Sequence, residues 1–74
     1  MEQEVIKIIA NILNVTPDEI NSDTEIGELP EWDSLHHLAI IKEIENHFTI
    51  KFKQGDLVDC ENISELISLI QDMK

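Results

Sequence analysis

The stretch PEWDSLHHLAII, Pro30 to Ile41, sets a serine and two histidines directly behind an aspartate at the start of an apolar helix. Asp33 can cap that helix by accepting a hydrogen bond from an unpaired backbone N–H, so the Ser34 hydroxyl is surplus to the cap. A serine beside His36 and His37 first suggests hydrolysis, in which a base takes the hydroxyl proton. The spacing opposes it. His36 at i+2 points elsewhere on a helix, and His37 at i+3 falls on the core-facing arc rather than in a cleft. No nucleophile elbow or oxyanion-hole loop surrounds Ser34. His37 therefore reads as a core or staple histidine packing near Trp32.

Metal chemistry fares no better. His36 and His47 lie roughly three turns apart and Cys60 stands alone, without the short paired spacing of a zinc site. Asp23, Glu25 and Gly27 only echo the calcium-loop pattern, and there is no glycine-rich phosphate cradle. No metal is expected. What remains is Ser34 as an attachment point, presented at the end of a long loop. A phosphodiester formed there would sit at the positive end of the helix dipole, near unpaired N–H groups.

The elements that position this serine follow from periodicity. Val5, Ile8, Ile9, Ile12 and Leu13 recur at helical spacing and predict a first helix from Glu2 to Val15. In TPDEI, Thr16 as cap, Pro17 at the first helical position and Glu19 three residues on form a capping box for one short turn ending near Asn21. Asn21 to Trp32 reads as a long acidic loop pinned at Ile20, Ile26 and Leu29. The second helix runs from Ser34 to about His47, with Ile40, Ile41, Ile44 and Phe48 on one arc, Leu38 at its edge and Leu35 partly exposed. FTIKFKQ alternates like a strand but has no partner run, and reads as an extended connector whose apolar side chains plug the core. Gln54 to Val58 suits a short third helix. Asn62 and Glu65 then cap a last helix carrying Ile63, Leu66, Ile67 and Ile70, to about Met73. The expected fold is all-α: a small four-helix bundle, three main helices and a short third one, with a long first loop, forming one domain over residues 1–74.

Size and charge bound the function. A chain of 74 residues buries too modest a core to add an elaborate catalytic cavity, which favours a binding or carrier module over an enzyme. Its net charge of -11 repels nucleic-acid phosphates and anionic membranes and favours basic protein partners. Lys7 is the only Lys or Arg before Ser34. One cysteine precludes an internal disulfide framework and fits a reducing cytoplasm, with Cys60 as a packing residue. With no signal-peptide pattern and no apolar run of membrane-spanning length, the expectation is a mature, cytoplasmic, monomeric protein without membrane insertion.

Asp33-Ser34-Leu35 at the start of the second helix, the acidic loop before it and the run from DSL through IENHFTIKF to NISELISLI resemble the acyl carrier proteins over essentially the whole chain. The resemblance implies that Ser34 receives 4'-phosphopantetheine from coenzyme A through a separate phosphopantetheinyl transferase. The arm's thiol then holds acyl cargo as a thioester for acyl-loading and acyl-transfer enzymes with basic docking surfaces. It further implies partner recognition by Asp33, Leu35, Leu38, Glu43 and Glu45, and an acyl cavity lined by Ile40, Ile41, Ile44, Phe48 and Ile63, whose default role is core.

Two departures bear on the pathway. Glu43 and Glu45 are the only acids of the second helix, fewer than fatty-acid carriers usually have, and Trp32 replaces the small residue common there. Both resemble stand-alone carriers of specialised lipid, polysaccharide or natural-product pathways. Trp32-Asp33 argues against the glycine-rich approach to the serine found in nonribosomal aminoacyl carriers, while a D-alanyl carrier shares the Asp-Ser start. The alternative of another class is an unmodified carrier-like interaction module docking basic partners, which would have no reason to retain Ser34.

Overall fold

A computed structural model describes residues 2–53, 55–56 and 60–73. Among them are three α-helices, α1 (Glu2–Leu13), α2 (Ser34–Phe48) and α3 (Ile63–Met73), and one 3-10 turn, Pro17–Glu19. No strand is formed among the described residues; the one ladder-like contact is an isolated antiparallel bridge between Glu25 and Asn62. The predicted third helix falls on a segment in which Gln54, Leu57 and Val58 lie outside the described residues.

α1 stops at Leu13, two residues before the expected end. Asn14 takes the left-handed conformation at φ 60°, and the Val15 N–H reaches back to the Ala10 carbonyl at 3.0 Å, a Schellman closure. The same device ends α2: Thr49 sits at φ 56° and the Ile50 N–H bonds the Glu45 carbonyl at 3.0 Å. The Glu45 carboxylate then accepts the Phe52 N–H at 2.8 Å, and the connector's Ile50 and Phe52 pack half-buried against the core as extended chain. In the 3-10 turn Glu19 reaches back to the Thr16 N–H at 2.8 Å, as the capping box requires.

Val5 and Ile9 of α1, Ile40 and Ile44 of α2, and Ile63, Leu66 and Ile70 of α3 are fully buried together. Each such side chain contributes roughly 1.5–3 kcal/mol relative to exposure, so packing rather than intrinsic propensity sustains these short helices. Leu38 departs from the helical-wheel expectation: it is 60% exposed, not at the edge of the core, because α2 turns its buried arc towards α1 and leaves this face outward.

The first loop is less free than its composition implies. Ile26 N–H donates to the Glu61 carbonyl at 2.9 Å, Ile63 N–H to the Thr24 carbonyl at 3.0 Å and Ser64 N–H to the Ser22 carbonyl at 2.8 Å. These bonds also satisfy N–H groups of the first turn of α3, which otherwise lack helical partners. Asn62 caps α3 through Oδ1 to the Glu65 N–H at 2.9 Å. Glu65 returns the bond to the Glu61 N–H at 3.1 Å, so the expected box closes one residue upstream. Ile20 and Trp32 anchor the loop's two ends in the core, Ile26 and Leu29 rest half-buried on it, and Thr24 is buried with its hydroxyl accepting the Asn21 N–H at 2.9 Å. The chain is thus fixed on both sides of the segment that delivers Ser34.

Candidate functional site

α2 begins where the loop leaves Trp32. Asp33 is extended, at φ -93° and ψ -175°, and its Oδ1 accepts the His36 backbone N–H at 2.9 Å as the helix cap. The same oxygen lies 2.8 Å from His36 Nδ1. Led by the bond from the His36 backbone, these contacts hold the Asp33 carboxyl below its usual range and keep it ionised. Ser34 follows as the first helical residue. It is exposed, and among the described residues its hydroxyl has no hydrogen-bond partner. The cap is complete without it.

Trp32 donates its indole N–H to His37 Nδ1 at 3.1 Å, the two rings 6.2 Å apart and tilted by 35°. Accepting that bond requires the neutral imidazole, and burial pushes the His37 pKa below its usual 6.5 in the same direction. His37 is the expected staple to Trp32, but the expectation that it avoids a cleft is corrected. A groove of about 420 Å³ runs beside Ser34. Ile26 and Gly27 line it from the first loop, Trp32 and the capping Asp33 from the end of that loop, and Ser34, His37 and Leu38 from α2.

The structure brings Asp33, Ser34, Leu35 and Leu38 together on the first turns of α2. Leu35 is 78% exposed and lies one turn from Leu38. Glu43 is exposed further along the helix, whereas Glu45 is half-buried and engaged with the Phe52 N–H, a structural task within the chain. Ile40, Ile41, Ile44, Phe48 and Ile63 are all buried in the common core, and none of them lines the groove beside Ser34. A more polar depression of about 550 Å³ lies at the other end of α2, between Lys42 and Lys51, away from Ser34. Among the described residues no cluster of three or more metal-ligating side chains occurs. Nor is any helix among the described residues long and apolar enough to cross a membrane. Sequence reasoning missed the buried Thr24 and the groove itself.

Residues 3–70 match the family described as the phosphopantetheine attachment site. An acyl carrier protein of Rickettsia bellii (strain OSU 85-389) is 30% identical over 74 residues, covering 100% of this chain and 91% of that protein. That of Rickettsia bellii (strain RML369-C) is 28% identical over 74 residues, with 100% and 86% covered. A non-reducing polyketide synthase, pkdA of Emericella nidulans, is 32% identical over 63 residues; the match covers 85% of this chain but spans 2% of the synthase. The solution structure of a holo acyl carrier protein from Geobacter metallireducens superposes with a TM-score of 0.84 at 25% identity, covering 99% of this chain and 86% of that one.

The chain belongs to the acyl carrier protein family, the carriers defined by a phosphopantetheine attachment domain. It is a carrier rather than an enzyme, and its cofactor is covalent 4'-phosphopantetheine. The residues present fit that group: an exposed, uncommitted hydroxyl stands at a helix N-terminus, and a preformed groove adjoins it.

Proposed function

We propose that Ser34 is the attachment residue and that the protein shuttles thioester-bound acyl intermediates between partner enzymes of a specialised lipid, polysaccharide or natural-product pathway. The observation that carries the reading is the division of labour between neighbours: Asp33 completes the cap, and the adjacent Ser34 hydroxyl is left exposed and, among the described residues, unbonded. When bound, the arm supplies a terminal thiol for the cargo. This chain needs no acid–base machinery of its own, because the transferase activates the serine oxygen for attack on phosphorus.

Ser34 lies beside the backbone N–H groups of the first turn of α2, so an attached phosphate is favoured there. Leu35 offers a large exposed apolar anchor, and ionised Asp33 keeps negative potential at the site. Together they suit a phosphopantetheinyl transferase, and then acyl-loading and acyl-transfer enzymes, with basic, apolar-lined docking surfaces. Leu38 and Glu43 extend the same surface. The acidic chain and its single cysteine are in keeping with a protein acting in the cytoplasm.

The test is intact mass after incubation with coenzyme A, magnesium and a broad-specificity phosphopantetheinyl transferase. A gain of one phosphopantetheine is expected. A folded protein that gains nothing with several such transferases would instead be an unmodified interaction module.

A further inference from the structure

Ser34 belongs at once to the attachment site and to the wall of the groove formed with Ile26, Gly27, Trp32, His37 and Leu38. We propose that this groove seats the proximal, gem-dimethyl-bearing portion of the arm carried on Ser34, against Trp32 and Leu38. The inference rests on the reading of Ser34 as the attachment residue and adds the residues that position the arm once it is there.

Three observations carry it. The first is tethering. An arm bonded to Ser34 begins at the groove, so its first carbon atoms meet the lining at the high effective concentration of an intramolecular contact. The second is chemistry. Ile26, Trp32 and Leu38 offer carbon surface, and Gly27, at φ 86°, contributes backbone without a side chain. The phosphodiester is charged and stays outside the groove, at the solvent-facing N–H groups of the first turn of α2, because burying it unpaired is costly. Immediately beyond the phosphate comes the branched gem-dimethyl group, the most apolar part of the arm before its two amides. The volume of about 420 Å³ falls in the range of small-molecule sites and admits that unit.

The third observation is preorganisation. The Trp32 indole is held by His37 at 3.1 Å, and Trp32 is anchored in the core, so this wall is rigid before any arm arrives and little ordering entropy is lost on seating it. Leu38, in contrast, is 60% exposed, and a seated arm removes part of it from water. Leu35 is still more exposed but does not line the groove, which leaves it available to partner enzymes while the arm occupies Leu38.

The experiment uses isotopically labelled full-length protein, loaded enzymatically and checked by intact mass before nuclear magnetic resonance. Trp32 is the only tryptophan, so its indole N–H gives a single reporter. In the loaded protein, NOEs from the gem-dimethyl protons to the Trp32 ring and Leu38 methyls are expected, together with a shift of the indole N–H relative to the unloaded form. Leu38→Ser, with loading driven to completion as judged by intact mass because Leu38 also belongs to the transferase-facing surface, should lose the NOE to the Trp32 ring and return the indole N–H towards its unloaded position. Ala39→Ser, on the same helix but outside the groove, should retain both signals. A mass gain with sharp gem-dimethyl lines and no NOE to Trp32 or Leu38 overturns this inference and leaves the Ser34 reading intact. No mass gain on wild type overturns both.

Discussion

Trp32 and His37 are joined by a hydrogen bond of 3.1 Å from the indole N–H to Nδ1, across the junction between the first loop and α2. The bond fixes the tautomer of His37, places its proton on Nε2 when neutral, and requires that it stay neutral. It ties the end of the loop to the helix that carries Ser34.

This bond makes stability sensitive to mild acid. Burial keeps the His37 pKa below its usual 6.5, so in the window between the two values the unfolded chain binds a proton that the folded protein refuses. The contribution is fully present above 6.5 and is lost as pH falls through the folded value. The urea midpoint should therefore drop between about pH 7.5 and about pH 5.5, and should drop less in His37→Gln, whose amide oxygen can still accept the indole N–H. His36 and His47 are present in both proteins and cancel. An equal drop in both would remove His37 from the explanation.

Asp33 acts at lower pH and by a different route. Its carboxyl is held below the usual 3.8, chiefly by the His36 backbone N–H, so its stabilisation is present above 3.8 and is lost as pH falls through the folded value. Asp33→Ala should lower the melting temperature by a few degrees at neutral pH, while Asp33→Asn, which retains a capping oxygen, should recover most of the loss. Thermal unfolding followed by circular dichroism distinguishes them, and equal melting temperatures for the two variants would mean that the cap is not what Asp33 contributes.

Thr49 closes α2 at φ 56°, where a β-branched residue is strained by about 1–3 kcal/mol. Glycine adopts that conformation without penalty. Thr49→Gly should stabilise the protein, by up to about 1 kcal/mol after the entropy lost by glycine on folding is set against the strain. Urea unfolding reads the change directly, and a destabilised variant would show that the threonine side chain contributes more than its backbone costs.

Ile44 and Leu35 occupy opposite environments on one helix, fully buried and 78% exposed. Ile44→Ala should cost about 2–5 kcal/mol through lost burial and the cavity left behind. Leu35→Ala should change stability by no more than about 0.5 kcal/mol. Its effect is expected instead in the KM of transferase loading, which should rise while the melting temperature stays put. If loading kinetics are unchanged, Leu35 is an ordinary surface leucine.

Much of this was legible from the residues. Three long helices carry strong 3.6-residue periodicity, the caps at Asp33 and Asn62 mark the starts of α2 and α3 and Thr16 that of the 3-10 turn, and the ends differ where a left-handed residue, Asn14, closes α1 early and where the turn stops at Glu19 rather than near Asn21. Asp33 and Ser34 could be read as cap and surplus hydroxyl from adjacency alone. The loop was harder, because its order comes from non-local bonds to Glu61, Ile63 and Ser64, and a lone Thr24 among polar residues leaves no periodic trace of burial. Leu38 was misplaced because a helical wheel gives an angle but not which neighbours exist on that side. The groove was illegible for the same reason: it needs Gly27 and Ile26 folded back against Trp32 and the first turns of α2.

The proposed carrier role requires that the arm be borne by Ser34. The direct measurement is the intact mass of wild type and Ser34→Ala after transferase loading, with fragmentation of the modified protein to locate the added group. Wild type should gain one phosphopantetheine, placed on the peptide containing Ser34, and folded Ser34→Ala should gain none. Loading of Ser34→Ala, or an added mass mapped to Ser22, Ser64 or Ser68, would contradict it.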